Sequence, residues 1–155
     1  MRLRRLELQE QKLDKLFGEV AKMDESEMKA HLAKYLCVQA SGYLENVIKE
    51  LVAEYHDSTC KKETESFINE KLKTFTNVDG KKIETLLTSF NAEWFRIFSS
   101  SVSEQQSQSL NNIISQRHLI AHGKESASNI SFGYMVNYYN DLKDIVKVLR
   151  SIIKK

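Results

Sequence analysis

The residues of this sequence best suited to chemistry lie close together, between positions 117 and 122. Arg117 carries a permanent positive charge, because a guanidinium does not lose its proton in proteins. It can therefore hold and neutralise a phosphoryl oxygen. His118 and His122 can each give or accept a proton near neutral pH. A fixed cation beside imidazoles suits phosphate chemistry, so this segment is the first candidate site.

The segment is predicted to end an α-helix. On a wheel of about 100° per residue, Arg117 falls in the middle of an apolar face, where its charge is costly unless it is paired or faces a wet cleft. His118 and His122 are four residues apart and so lie on one side of the helix. Gly123 follows where a left-handed C-cap glycine is common, which puts His122 at the negative end of the helix dipole. The apolar face comprises Leu110, Ile113, Ile114, Ile120 and Ala121, and the polar stripe comprises Asn111, Ser115, His118 and His122.

Wheel geometry leaves a purely structural explanation of these residues open. Arg117 could reach solvent from a helix edge or pair with a buried carboxylate, and His122 could simply hydrogen-bond its helix end. The spacing of His118 and His122 could also suit zinc. No carboxylate or cysteine accompanies them locally, so we expect no metal, and nothing in the sequence indicates a cofactor.

The rest of the chain is predicted to form the helices that position this segment. Proline is absent, only five glycines occur, and apolar residues recur at helical spacing rather than in alternation. We predict an all-α bundle of five to six mostly antiparallel helices in one domain, residues 1–155, in which the N-terminal helix within residues 1–24 could be peripheral. Helices are expected over residues 2–23, 26–55 (with Ser26 as N-cap), 62–75, 81–98 and 130–153. A further helix, which ends at residues 122–123, is expected to follow a serine-rich loop at 99–103 that caps it. The core stripe of the second helix is Leu36, Ala40, Tyr43, Val47 and Leu51.

Composition narrows the class of protein without pointing to a partner. The chain has 155 residues, of which 41% are hydrophobic and 28% charged, as in ordinary globular proteins. Its net charge of +2 is only weakly basic. No apolar run is long enough for a membrane span or a signal peptide. Cys37 and Cys60 match no disulfide or zinc spacing, so we expect a soluble protein of the reducing cytoplasm.

The stretch LNNIISQRHLIAHG at residues 110–123 resembles the signature of the HEPN superfamily. In that signature an arginine is followed, after four to six residues, by a histidine, and the residue after the arginine is often Asn, Asp or His, as His118 is. Upstream, QASGYLENVI at residues 39–48 resembles the matching helix of the RiboL-PSP branch, and its spacing to IETLLTSF at residues 83–90 also fits. The likeness covers roughly residues 25–150.

The resemblance implies an all-α homodimer in which two copies of the motif build one composite cleft. Active members are metal-independent endoribonucleases, which use the ribose 2′-OH to leave a 2′,3′-cyclic phosphate and a 5′-OH. Arg117 would then stabilise the phosphate, His122 would act as acid or base, and His118 would position the RNA. Many members are toxins or anti-phage components, so an antitoxin is one expected partner. Others are non-catalytic modules that bind a partner protein, such as a nucleotidyltransferase, or a nucleotide; a plain helical scaffold is a third interpretation.

The resemblance also singles out supporting residues. Glu45 lies on the helix expected near the motif and could pair with Arg117 and orient it, or it could be an ordinary solvated glutamate. Asn111 shares a stripe with His118 and could contact the motif or be a plain polar flank. Some HEPN toxins carry a tyrosine, modified by a partner enzyme, two residues after the motif histidine. Lys124 stands at that position, so we do not expect that route of control, and we include Lys124 among the RNA-binding candidates.

Other chemically capable side chains are expected to be structural. His31 and His56 should lie on helix surfaces, and Cys37 should pack in the core because no base is identifiable nearby to activate it. The aromatic residues Trp94, Phe95 and Phe98 are expected in the core or at a dimer contact rather than as a base-stacking platform.

Overall fold

The structure is a computed structural model that describes residues 2–59, 61–124 and 128–154. Cys60, one of the two cysteines considered above, lies outside these residues. None of the helices in the described ranges combines the length and apolarity needed to cross a membrane. These ranges contain no strand; they contain a short 3₁₀ turn, Lys62–Thr64, and seven α-helices: α1 (Arg2–Ala21), α2 (Glu27–Thr59), α3 (Glu65–Lys73), α4 (Gly80–Phe90), α5 (Ala92–Ser101), α6 (Glu104–Ala121) and α7 (Phe132–Ile152).

The long helix α2 is the centre of the fold. It has 33 residues and therefore spans about 50 Å. Ser26 accepts a hydrogen bond from the backbone N–H of Lys29 at its start, as the sequence predicts. Helices α1, α6 and α7 all pack against it. All five residues of its predicted core stripe are buried, which confirms the all-α prediction at its main element: Leu36, Ala40, Tyr43, Val47 and Leu51.

The helix predicted over residues 81–98 is two helices, α4 and α5, that meet at Asn91. This residue is in an extended conformation, with φ −165° and ψ 120°. Its N–H bonds to the carbonyl of Leu87, and its side chain accepts from the N–H of Glu93 at 2.9 Å. A short amide side chain that satisfies the next helix's backbone stabilises a break that apolar periodicity does not reveal. The described residues thus hold more helices than the five to six expected.

The prediction that His56 lies on a helix surface is wrong. His56 is only 5% exposed, and its Nε2 lies 2.9 Å from the hydroxyl oxygen of Thr64. The 3₁₀ turn that contains Thr64 follows the end of α2 and covers this imidazole. His31, by contrast, is exposed as expected. Phe98 is buried, and Trp94 is half-buried with its ring centroid 5.1 Å from that of Tyr55.

Candidate functional site

Helix α6 carries the candidate residues in its last turns, and both its start and its buried face are well fixed. Ser103 accepts from the N–H of Gln106, and the Gln106 side chain accepts from the N–H of Ser103 at 2.9 Å. This reciprocal capping box satisfies two backbone donors at the helix start. Further along, Leu110, Ile113 and Ile114 are buried. The capping box and the buried face together fix the position of the C-terminal end of α6 against the core.

The C-terminal end of α6 is closed by its own backbone. Gly123 has a φ of +69°, the left-handed conformation that the sequence predicts for it. Its N–H bonds to the carbonyl of Ile120 at 3.4 Å, and the N–H of Lys124 bonds to the carbonyl of Leu119 at 2.8 Å. This pair of bonds is the Schellman arrangement. His122 is the C-cap residue, so the position of its side chain is set by this turn.

His118 and His122 form a pair of exposed imidazoles at this end. Their ring centroids are 4.2 Å apart, with an angle of 58° between the planes, and both residues are exposed. Adjacent imidazoles in water can each exchange protons with a ligand near neutral pH. The structure thus confirms that the two histidines are neighbours on one side of α6.

Arg117 is half-buried on the same helix and is held from outside it. Its Nη1 donates to the side-chain oxygen of Asn77, which lies in the loop between α3 and α4, residues 74–79. The backbone N–H of Asn77 in turn donates to Glu45 Oε1 on α2 at 2.8 Å. The direct pairing of Glu45 with Arg117, one of the two alternatives left open for Glu45, is not formed between these described residues, because Asn77 lies between them in the hydrogen-bond chain.

Among the three residues of this cluster, Arg117, His118 and His122, only Arg117 carries a permanent charge, and it has no counter-ion in the described part of the chain. Across the described residues, no carboxylate lies within ion-pair distance of Arg117, His118 or His122. The partner of Arg117 is a neutral amide, which orients the guanidinium but does not cancel its charge. A guanidinium without an internal counter-ion attracts an anionic ligand.

Cys37 lies directly behind this cluster, in the core. It is fully buried, and its thiol donates to the carbonyl of Ile113 on α6 at 3.3 Å. Burial raises the pKa of the Cys37 thiol to about 12, although the nearby Arg117 guanidinium partly opposes this rise. A thiol with so high a pKa is not a nucleophile at neutral pH. The predicted packing role of Cys37 is therefore confirmed.

A groove of about 470 Å³ runs between α6 and the start of α4. Asn111 forms part of its floor and has a structural bond, because its Oδ1 accepts from the N–H of Gly80 at 3.0 Å. The groove meets the candidate cluster through His118, whereas Arg117 and His122 do not line it. Its lining consists of Asn77, Asp79, Lys81, Lys82, Asn111, Ile114, Ser115, His118 and Leu119.

The structure gives the predicted residues different surroundings. Lys124 is exposed just beyond the helix cap, two residues after His122 in the chain. Asn111 and His118 both line the groove, while Glu45, on α2, accepts a hydrogen bond from the backbone N–H of Asn77. Asn77 itself was not among the predicted site residues. Its only signal in the sequence is the turn-like run Asn-Val-Asp-Gly at residues 77–80, which does not indicate a contact 40 positions away.

The all-α fold and the helix that ends in Arg-x-x-x-x-His define a protein of the HEPN type. The family model described as RiboL-PSP-HEPN matches residues 3–155, and the chain belongs to this family. The resemblance drawn from the Arg117 segment is thereby confirmed. A comparison with curated proteins finds no match, and a comparison with solved structures finds none either.

Proposed function

We propose that this protein is a metal-independent endoribonuclease of HEPN type, with Arg117 and His122 as its catalytic residues. The observation that carries the proposal is the set of basic side chains at the end of α6, namely Arg117, His118 and His122. It combines a guanidinium tethered by a neutral amide with two exposed imidazoles 4.2 Å apart, and no described carboxylate neutralises it. Membership of a HEPN family supports the same chemistry.

The proposed reaction is an internal transfer at one phosphodiester. The ribose 2′-oxygen attacks the adjacent phosphorus while the bond from phosphorus to the 5′-oxygen breaks, leaving a 2′,3′-cyclic phosphate and a 5′-OH. Arg117 stabilises the charge that grows on the non-bridging oxygens. One imidazole accepts the proton of the 2′-OH, and another returns a proton to the leaving 5′-oxygen. No proton or water is consumed overall.

The two proton transfers need two groups, and His122 supplies one of them in each copy of the chain. A homodimer with a composite cleft would bring two copies of His122 to one phosphate. Within each copy, His118 connects the cluster to the groove along α4 and α6. We infer that the RNA strand follows this groove, since Lys81 and Lys82 add positive charge there. Lys124, exposed two residues after His122, would contact a flanking phosphate.

In the cell, such an activity fits a cytoplasmic toxin or anti-phage component controlled by an antitoxin. A nuclease that cuts RNA without a cofactor is harmful unless it is restrained, so a partner protein that covers the α6 end is part of this proposal. A nucleotidyltransferase is a second kind of partner known among HEPN proteins.

The test is cleavage of labelled RNA by the purified protein in EDTA. We expect cyclic phosphate ends from the wild type. His122→Ala should lower the rate about 10²–10⁴-fold, the usual contribution of an acid or base. Arg117→Ala should lower it about 10²–10³-fold, as for a lost oxyanion donor. Both variants should melt within a few degrees of the wild type.

The matched control is His31→Ala, which removes another exposed histidine, on α2 beside Glu27. It should cut at the wild-type rate. Cleavage that EDTA abolishes, or that survives in both motif variants, would overturn the nuclease assignment. A wild type that binds a partner protein or nucleotide but leaves RNA intact would instead make this chain a non-catalytic interaction module.

A further inference from the structure

The loop between α3 and α4 holds Asn77 in an unusual backbone conformation. Asn77 has a φ of +52° and is the residue other than glycine with a positive φ in the described part of the chain. Side chains with a Cβ disfavour this left-handed region, and asparagine tolerates it best because its short amide can bond locally. Such a conformation persists only where the surroundings fix it.

The contacts that fix Asn77 come from two different helices. From α2, Glu45 Oε1 accepts the backbone N–H of Asn77 at 2.8 Å. From α6, Arg117 Nη1 donates to the Asn77 side-chain oxygen. Because the backbone is held by one helix and the side chain contacts the other, the amide oxygen is presented to the guanidinium at a fixed point.

The loop on either side of Asn77 is also anchored, in both cases by Lys82 of α4. The carbonyl of Thr76 accepts from Lys82 Nζ, and Asp79 caps α4 by accepting the N–H of Lys82 at 2.9 Å. Val78, between them, is completely buried. The loop is thus a rigid support for Asn77 rather than a free connection.

The chemical type of the contact matters as much as its position. A carboxylate at this point would form an ion pair with Arg117 and compete with a phosphate for its charge. The neutral amide of Asn77 uses one of the five N–H donors of the guanidinium and leaves its charge intact. Glu45 supplies a carboxylate, but it is directed at the backbone of Asn77 instead.

We propose that Asn77 is a positioning residue, which orients the Arg117 guanidinium toward a phosphate while leaving its charge available, and that Glu45 positions Asn77. This positioning role toward a phosphate rests on the proposed ribonuclease function. The hydrogen-bond chain from Glu45 through Asn77 to Arg117 joins three elements of the fold and touches neither imidazole.

The kinetic test uses substitutions that keep the loop conformation. Asn77→Gly preserves the positive φ but removes the amide, so kcat for a fluorophore–quencher RNA should fall about tenfold to a hundredfold, since a misplaced group can cost this much. KM should change little. Asn77→Asp keeps both the conformation and the acceptor oxygen, but its carboxylate pairs with the Arg117 charge that the transition state needs, so kcat should also fall, with Arg117 still held in place. KM should rise because the added charge weakens the hold of Arg117 on phosphate.

Glu45 offers a matched pair of its own. Glu45→Gln retains the acceptor oxygen for the Asn77 N–H and should leave kcat nearly unchanged, whereas Glu45→Ala should lower kcat in the same direction as Asn77→Gly. Asn46→Ala is the control, because it removes a neighbouring exposed amide that bonds to Gln9. Wild-type kcat in a well-folded Asn77→Gly protein would overturn the proposal.

A second readout does not depend on cleavage. In side-chain NMR spectra, the hydrogen-bonded Arg117 guanidinium should rotate slowly about its Nε–Cζ and Cζ–Nη bonds in the wild type. It should rotate faster in Asn77→Gly and remain slow in Asn77→Asp. If the wild type cuts no RNA, the nuclease assignment fails, yet slow rotation that is lost in Asn77→Gly still supports the positioning role. Equal rotation rates in the wild type and Asn77→Gly would overturn the role whether or not RNA is cut.

Discussion

Two regions of this molecule place polar side chains at the edge of the core, but the partners of these side chains differ between the two regions. Where α1 packs against α2 and α7, buried tyrosine hydroxyls meet carboxylates. Tyr43 donates to Glu10, and Tyr139 donates to Asp14 at 2.7 Å. At the end of α6, Arg117 donates to the neutral amide of Asn77, and the His118 ring lies beside the His122 ring.

We infer that the difference separates polar groups that hold the fold together from the polar groups that the proposed function assigns to a ligand. In the α1 region every donor just named has an anionic acceptor within the chain, so the pairs lock α1 in place. Burial and the neighbouring carboxylates raise the pKa of both tyrosines, which keeps their donor protons in place. In the α6 region the charges lack such acceptors among the described residues, and an external anion would complete the arrangement.

The largest effect that tests this comparison is expected in the α1 region. Tyr43→Phe removes a buried donor and leaves the Glu10 carboxylate without this hydrogen bond. A bond to a charged group contributes about 2 kcal/mol, so the melting temperature should fall by about 4–8 °C for a chain of this size. RNA cleavage at a temperature well below melting should be unchanged.

The control for this prediction is Tyr35→Phe, because Tyr35 lies on the same helix but is 51% exposed. Its melting temperature should match that of the wild type. If Tyr43→Phe reduced cleavage while leaving stability intact, the division between a structural region and a functional region would be wrong.

Much of this fold follows from periodicity and capping residues in the sequence. Ser103 caps α6 as predicted, but the prediction of a loop at Ser99–Ser101 is wrong, because α5 continues to Ser101. The core stripe of α2, the N-cap at Ser26 and the left-handed Gly123 are all where the sequence predicts them. These are local features: each depends on residues within one or two helical turns. The position of the motif at a helix end is a consequence of the same local rules.

The features that the sequence did not reveal depend on contacts between distant segments or on competition for backbone bonds. His56 is buried by a turn that forms later in the chain. Asn77 reaches Arg117 across 40 positions. Asn91 breaks a continuous apolar pattern by capping the next helix. Periodicity predicts which face of a helix is buried, but it does not predict which loop will cover a polar group.

An intermediate effect is expected behind the α6 cluster and concerns pH. Burial raises the pKa of Cys37 from about 9 to about 12. Between these values the unfolded chain gives up a proton that the folded chain keeps, so the stabilising contribution is complete below pH 9 and is lost as the pH rises toward 12. At pH 10 the loss relative to pH 8 should be about 1.4 kcal/mol.

The measurement is urea unfolding at pH 8 and pH 10 for the wild type and Cys37→Ser. Serine keeps a donor for the Ile113 carbonyl but does not ionise in this range. The two proteins differ in no other ionisable side chain, so all other contributions cancel in the difference. If both proteins showed the same pH dependence, the Cys37 thiol would not be shielded from water. The comparison between a dry core behind Arg117 and an exposed surface at His118 and His122 would then be wrong.

The smallest effect on stability is expected at Gly123, where backbone geometry rather than side-chain pairing sets the site. No heavy atom would obstruct a Cβ there, but the φ of +69° disfavours alanine, which costs about 1 kcal/mol. Gly123→Ala should therefore melt only slightly lower, yet displace His122 and slow RNA cleavage at least tenfold. Gly123→Asn should retain cleavage, because asparagine tolerates this conformation.

Gly18→Ala is the opposite control, because Gly18 lies exposed within α1 and alanine there should stabilise the helix by about 0.5–1 kcal/mol. If Gly123→Ala and Gly18→Ala cut RNA equally well, the turn that closes α6 would not be what positions His122.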